Sequence, residues 1–203
     1  ADYVDILNHW YGYPDIPIGT INGGVDCEND AANYAKAVVD MTGKDGKFLF
    51  SRSKMGQKRE ESVNLLRKIL SKQKDTSVII VSVGFSTNLS RLLDSKPDKY
   101  SNLDGKTLIA KKVKLLVTMA GDFVNPGFHE YNVVKDIPAA KAIFEQWPTP
   151  VVTSPFEVGN IITYPAKSIE NDFKWAKTAH PVVEAYKSYQ NMPYDRPMWD
   201  PTA

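Results

Sequence analysis

The sequence has very little cysteine and histidine and no long apolar run. Cys27 is the single cysteine among 203 residues, which excludes an internal disulfide and a multi-cysteine metal cluster. No segment approaches the roughly 20 apolar residues of a membrane span, and the first residues, ADYVDILNHWYG, lack the basic and apolar regions of a signal peptide. We therefore expect a soluble protein, and the sequence leaves the cytoplasm, the periplasm and the extracellular space open.

The charges of the chain are balanced. There are 25 Lys and Arg residues against 24 Asp and Glu residues, a formal net charge of +1. No overall field would attract nucleic acid or an anionic membrane, so a small neutral ligand is the favoured partner and a homo-oligomer is compatible with the composition. With 42% hydrophobic residues, the chain can form one core of ordinary size, and we predict a single domain over residues 1–203.

Short apolar runs alternate with helical patterns along the chain. The predicted strands are 15–21, 77–84, 113–121 and the run TPVVTSPF at 149–156. The predicted helices are 2–11, 29–42, 60–72, 86–93, 137–146 and one that begins at Pro181. The lysine-rich segment 43–58 is predicted to be a mobile surface segment. Because the β-branched run SVIIVSVG is typical of a strand buried on both faces, the pattern indicates an α/β fold with a doubly wound, mostly parallel sheet flanked by helices.

Polar residues cluster in the loop that follows the predicted strand 113–121. The loop GDFVNPGFHEYNVVKD contains Asp122, Asn125, His129, Glu130 and Asn132. The segments VGFSTN and SPFEVGN follow the neighbouring predicted strands. Since the carboxyl ends of parallel strands share one edge of a sheet, the three segments should surround one crevice. Carboxylate and carboxamide groups there suit an uncharged polyhydroxylated ligand, and a sugar fits that description.

Five motifs in order carry a resemblance to a known family: VSVGFSTNLS, LLVTMAGDF, HEYNVVKDIPAAKAIF, TPVVTSPFEVG and RPMWDPTA. Together they resemble the central part of the inosine-uridine preferring nucleoside hydrolase family, from about Lys58 onward and more weakly before it. The resemblance implies a doubly wound parallel sheet and hydrolysis of the N-glycosidic bond of nucleosides with one bound Ca²⁺.

The resemblance also implies roles for particular residues. Its ribose-binding Glu-aromatic-Asn triplet falls on Glu130, Tyr131 and Asn132, and an upstream ribose-binding Asn matches Asn125. His129, next to Glu130, is the histidine that we expect to touch the substrate. The two implied calcium ligands are the main-chain carbonyl of Val83 and the carboxylate of Asp200.

The sequence departs from the family in two places. The family's aspartate cluster, roughly Asp-x-Asp-x-x-x-Asp-Asp, does not occur, and two oxygen donors fall short of the 6–8 that Ca²⁺ requires. Either the chain is a fragment, incomplete at both ends, or it is a diverged member without the metal. We favour the fragment, and we expect Ca²⁺ in the complete protein and an inactive chain when it is isolated.

The second departure is Trp199, which replaces the family's acidic histidine. An indole cannot act as the acid that protonates the leaving group, so we place Trp199 in the leaving-group pocket. The substrate therefore stays open between nucleosides and other glycosyl compounds.

Several residues also have structural interpretations. Glu130 and Asn132 could bond local backbone amides at a turn and a strand end, Asp136 is expected to cap helix 137–146, and Asp200 before proline could be a turn residue. We therefore predict a glycosyl-bond hydrolase, with a non-catalytic carbohydrate-binding module as the alternative function.

Overall fold

The computed structural model describes residues 1–25, 33–53 and 58–203. The helices are α1 (Asp2–Trp10), α2 (Tyr34–Val39), α3 (Ser62–Ser71), α4 (Thr87–Asp94), α5 (Gly105–Lys112), α6 (Tyr131–Val134), α7 (Ile137–Gln146), α8 (Phe156–Ile161), α9 (Ala166–Asn171) and α10 (Pro181–Tyr189). The strands are β1 (Gly19–Thr20), β2 (Glu60–Glu61), β3 (Val78–Ser82), β4 (Val113–Met119), β5 (Val151–Ser154), β6 (Thr163–Tyr164) and β7 (Arg196–Pro197), and a 3-10 helix spans Asp200–Thr202. Cys27 and the first part of the predicted helix 29–42 lie outside the described residues.

The chain forms two compact units. The first consists of Ala1–Thr20, Asp26–Arg59 and Tyr164–Arg196, and the second of Ile21–Val25, Glu60–Thr163 and Pro197–Ala203. The prediction of a single domain stays a prediction.

A three-stranded parallel sheet organises the second unit. Its strand order is β3-β4-β5, and Val81 aligns with Val117, which aligns in turn with Val152. The helices α3, α4, α5 and α7 connect and accompany these strands, as parallel pairing requires. The α/β class with a mostly parallel sheet flanked by helices is therefore confirmed.

The two faces of this sheet have different surroundings. Leu116 is completely buried, in a core that also contains Leu92, Ile109 and Ile143 from three of the helices. On the opposite face, Ile79, Val81 and Val152 are 54%, 55% and 52% exposed. The prediction that SVIIVSVG is buried on both faces is thus wrong in this structure, because no described element covers the second face.

An arginine is buried beside the core of the second unit. Arg67, on α3, is 2% exposed, and its guanidinium donates to the carbonyl oxygens of Ser101 and Leu103 at 3.1 and 2.8 Å and to Ser95 Oγ at 2.8 Å. Its Nη2 donates to Asp98 Oδ1 at 3.2 Å, its Nε lies 2.9 Å from Asp98 Oδ2, and this ion pair keeps the pKa of Asp98 below its usual value. Arg67 is therefore the cation that holds the loop before α5 in place.

The first unit has its own core of Ile6, Val38, Val39, Phe50 and Ala185, contributed by α1, α2, α10 and the segment 43–53. Phe50 is 4% exposed, so the described part of segment 43–58 is not wholly a surface segment.

The predicted strand 15–21 is regular only at Gly19–Thr20. Pro17 has no backbone N–H to donate, which explains why pairing does not extend through that stretch.

A buried carboxylate in α1 holds the chain after Phe50 in place. Asp5, 2% exposed, accepts hydrogen bonds from the backbone N and Oγ of Ser53 at 2.8 and 3.0 Å and lies 3.4 Å from Arg59.

In the described part of the chain, no helix is long and apolar enough to cross a membrane.

Candidate functional site

Loops from neighbouring strands meet at the carboxyl edge of the sheet. The segment after β3 contacts the loop after β4 in two places: the rings of Phe85 and Tyr131 lie 5.5 Å apart, and Thr87 Oγ1 donates to Asp136 Oδ2 at 2.5 Å. Asp136 also accepts from the backbone N of Ala139 at 3.2 Å, so it caps α7 as the sequence predicts. The structure thus brings together the segments in which the candidate residues were predicted.

Glu130 is the most deeply buried of the predicted sugar ligands. It is 4% exposed and precedes α6, where its carboxylate accepts three backbone N–H bonds: Oε1 from Asn132 at 2.9 Å, and Oε2 from Gly121 and Val133 at 3.1 and 3.0 Å. A carboxylate has about four acceptor positions, so one remains for a ligand. Glu130 therefore ties the start of the loop to its end and keeps limited capacity for a sugar hydroxyl.

Asn132 is also built into the end of β4. It is 9% exposed, and its Nδ2 donates to the carbonyl oxygen and Sδ of Met119, each at 3.1 Å. Its Oδ1 accepts none of the hydrogen bonds in the described part of the chain. The structural interpretation of Glu130 and Asn132 thus has specific bonds behind it, while their sugar-binding role stays a prediction.

The other predicted sugar ligands lie in the exposed part of the loop. Asn125 donates through its backbone N and Nδ2 to Asp122 at 2.8 and 2.7 Å, which forms a tight turn. Partial burial raises the pKa of Asp122, but the hydrogen bonds from Asn125 and Val124 outweigh it and hold that pKa below its usual value. His129 is exposed, and Tyr131 is 46% exposed. Asp122 is therefore a carboxylate that orients Asn125.

An aromatic row follows β5, and of its three rings only that of Trp199 was predicted to be part of the site. The Phe128 and Phe156 rings lie 4.5 Å apart, and Phe156 stacks on Trp199 with centroids 5.5 Å apart and planes at 21°. A Cβ added to Gly159 would lie 2.4 Å from Trp199 Cα, so the glycine permits this close packing. The segment SPFEVGN contained the signal, but only the contact in space shows that Phe156 and Trp199 form one surface.

Two buried polar atoms near this row have no hydrogen-bond partner among the described residues: Glu157 Oε2 and Trp199 Nε1. The other oxygen of Glu157 accepts from the backbone N of Phe123 at 3.2 Å, which connects α8 to the loop after β4. The backbone N of Phe156 makes a second such connection, to the carbonyl oxygen of Gly121 at 2.8 Å. An unpaired acceptor and an unpaired donor are costly when buried, and a hydroxyl group can satisfy either of them.

The two implied calcium ligands do not form a metal site by themselves. Val83 follows β3 and is 43% exposed, and Asp200 begins the short 3-10 helix, which a 2.6 Å hydrogen bond between Thr202 and Ser154 attaches to β5. Among the residues that the structure describes, no three His, Cys, Asp or Glu side chains form a group that could hold a metal ion. Since Ca²⁺ takes about 6–8 oxygen ligands, the described residues do not fit a calcium site.

The fold and the site define a class: an α/β protein that places carboxylate, carboxamide and aromatic side chains at the carboxyl ends of parallel strands. The family model for inosine-uridine preferring nucleoside hydrolase matches residues 3–203. The chain therefore belongs to that family, which confirms the resemblance in the sequence. A comparison with curated proteins gave no match.

Proposed function

We propose that this protein acts in the hydrolysis of an N-glycosidic bond to ribose or of a related glycosyl bond, with a small nucleoside or sugar as its ligand. Family membership over residues 3–203 is the observation that carries the proposal. In that reaction the bond from the anomeric carbon to the leaving group breaks and its electron pair leaves with the leaving group. The oxygen of water bonds to the carbon, and one proton is released from that water as the leaving group gains one, so that the products are the sugar and the protonated leaving group.

The role proposed for the loop after β4 is to hold the ribosyl hydroxyls. Glu130 would accept from one hydroxyl at its remaining acceptor position, while Asn132 Oδ1 and the exposed amide of Asn125 would bond to others. The contacts that support this role also fix the geometry: the backbone bonds of Glu130 and the Met119 bonds of Asn132 leave these side chains little freedom. Groups held in place in this way can favour a transition state, because they need not reorganise as charge develops.

The role proposed for Trp199 is to line the pocket of the leaving group. Its stacking on Phe156 supports this role, because a flat aromatic surface suits a planar leaving group. The indole N–H can donate a hydrogen bond but is far too weakly acidic to protonate a basic leaving group, so good leaving groups should be preferred. In the active enzyme, Trp199→His should raise the rate with inosine relative to that with p-nitrophenyl riboside, and an unchanged ratio would argue against this assignment.

The second candidate function is a non-catalytic carbohydrate-binding module. The observation that favours it is the lack of a metal-holding group among the described residues, together with Trp199 in place of an acid.

One experiment distinguishes the two functions. Ribose, inosine and a simple hexose are titrated into the complete protein by calorimetry, and p-nitrophenol release from p-nitrophenyl riboside is followed in the same preparation. Release that depends on the protein supports the hydrolase, whereas saturable ribose binding without release supports the module. If neither ribose nor inosine binds, both proposals are wrong.

A further inference from the structure

A cluster of tyrosine side chains in the first unit encloses a cavity. Its members, Tyr3, Tyr34, Tyr186, Tyr189 and Tyr194, are called the tyrosine cage below. The cavity has a volume of about 120 Å³, and Val182, Ala185 and Arg196 complete its lining. No described part of the site at the sheet edge contributes to it.

The rings of the cage are arranged as a continuous aromatic wall. Tyr34 makes edge-to-face contacts with Tyr3 and Tyr189, with centroids 6.3 and 5.7 Å apart and planes near 90°. Tyr186 stacks on Tyr194 at 5.9 Å. Two hydroxyls anchor the wall, since Tyr194 donates to the carbonyl oxygen of Tyr186 at 2.8 Å and Tyr3 donates to that of Pro181 at 3.3 Å.

The size of the cavity suits a single six-membered ring. An apolar cavity of about 150 Å³ is known to hold benzene. The cavity of about 120 Å³ is therefore filled by the ring alone, and any substituent on the ring must lie at the opening. Tyr189, 37% exposed, lies on the solvent side of the cage. Edge-to-face and offset contacts with such a ring would extend the geometry that the tyrosines already adopt.

The charge of the cavity selects the substituent. The guanidinium of Arg196 lies 3.9 Å from the centroid of Tyr189 and 6.0 Å from that of Tyr34. Among the described residues it forms no ion pair, and the residues that line the cavity include no acidic side chain. A guanidinium stacked on an aromatic face keeps its edge available for a bidentate carboxylate.

The phenol groups do not oppose an anion. Burial raises the pKa of Tyr186 and of Tyr194, although the nearby charge of Arg196 acts in the opposite direction. Both phenols are therefore protonated at neutral pH and add no negative charge to the cavity.

We propose that the tyrosine cage is a binding site for a small aromatic carboxylate, whose ring packs among the tyrosine rings and whose carboxylate pairs with Arg196. The cage shares no residue with the site proposed for glycosyl hydrolysis, and a failure of either proposal leaves the other intact.

The test is a calorimetric titration of the 203-residue protein with benzoate, benzyl alcohol and acetate. Benzoate should bind, and the other two should bind at least about 5-fold more weakly, because each lacks the charge or the ring. Arg196→Gln should weaken benzoate binding by about 10-fold, which corresponds to one charge-assisted contact. Lys187→Gln, on the helix α10 that carries Tyr186 and Tyr189 but paired with Glu184 at 2.8 Å, is the matched control and should leave binding unchanged.

Circular dichroism confirms that each variant is folded before it is titrated. If Arg196→Gln does not fold, Tyr189→Leu replaces it and should also weaken benzoate binding. The proposal is overturned if benzoate does not bind, if benzyl alcohol binds equally well, or if Lys187→Gln has the same effect as the cage variants.

Discussion

Replacement of Glu130 by glutamine tests the structural bonds of the loop after β4. In Glu130→Gln, one carboxylate oxygen becomes an NH₂ group. If the remaining oxygen keeps the two bonds from Gly121 and Val133, the new NH₂ faces the backbone N–H of Asn132, which now lies 2.9 Å from Oε1. Two donors then oppose each other, and one buried N–H loses its acceptor.

The magnitude follows from that lost bond. An unsatisfied buried donor costs about 1–3 kcal/mol, and the other two bonds lose the strength that the charge gave them. We therefore expect the free energy of unfolding to fall by about 2 kcal/mol. For a chain of this length, this corresponds to a decrease in Tm of about 4–8 °C.

Urea unfolding followed by circular dichroism measures this change at neutral pH. Glu145→Gln is the matched control, because Glu145 is an exposed residue of α7 with its carboxylate 3.8 Å from Lys141 Nζ. Its replacement should change the free energy of unfolding by less than about 0.5 kcal/mol. A Glu130→Gln variant as stable as the control would show that the three backbone bonds to Glu130 do not stabilise the loop.

Three further predictions concern stability. His180, 3% exposed, accepts a hydrogen bond from the backbone N of Val182, and burial lowers its pKa from the usual 6.5. The unfolded chain therefore binds a proton at His180 more readily than the folded chain, so the free energy of unfolding should be highest above about pH 6.5 and should fall as the pH decreases below that value. Urea midpoints measured between pH 8 and 5.5 should depend less on pH in His180→Asn than in the unmodified protein. Arg67→Met should lower the free energy of unfolding by about 3–5 kcal/mol, because it leaves the buried partners of the guanidinium unpaired, and a loss below 1 kcal/mol would contradict the network. Gly159→Ala should cost about 1–3 kcal/mol and shift the tryptophan fluorescence, since the new Cβ would displace Trp199; an unchanged spectrum and stability would be inconsistent with this packing.

Local chemistry made much of the fold predictable. Helix 137–146 was predicted at its observed bounds, because Asp136 is a strong N-cap and Pro138 fits the first turn. The β-branched runs located β3, β4 and β5 to within a few residues. Helix α5 was not predicted, since GKTLIAKK has few apolar positions and a weak helical periodicity, although Asp104 caps it.

The candidate site was less predictable, because its geometry depends on contacts between distant segments. The sequence located the polar loop, but it left open whether Glu130 supports backbone or holds a ligand. The bond from Gly121 across nine positions, and the stacking of Phe156 on Trp199, depend on how the strand ends approach each other. The exposed side of β3 also escaped prediction, since a β-branched run does not reveal which elements cover the strand.

The affinity of ribose for folded Glu130→Gln and Asn132→Ala shows whether the loop after β4 holds a ribosyl group. The measurement is calorimetry at a temperature where thermal melts show each variant to be folded. Ribose should bind to the unmodified protein, and its affinity should fall about 10-fold or more in Glu130→Gln and less in Asn132→Ala, since only the first removes a charged partner. Undiminished affinity in both variants, alongside the expected loss of stability, would show that these residues only support the loop.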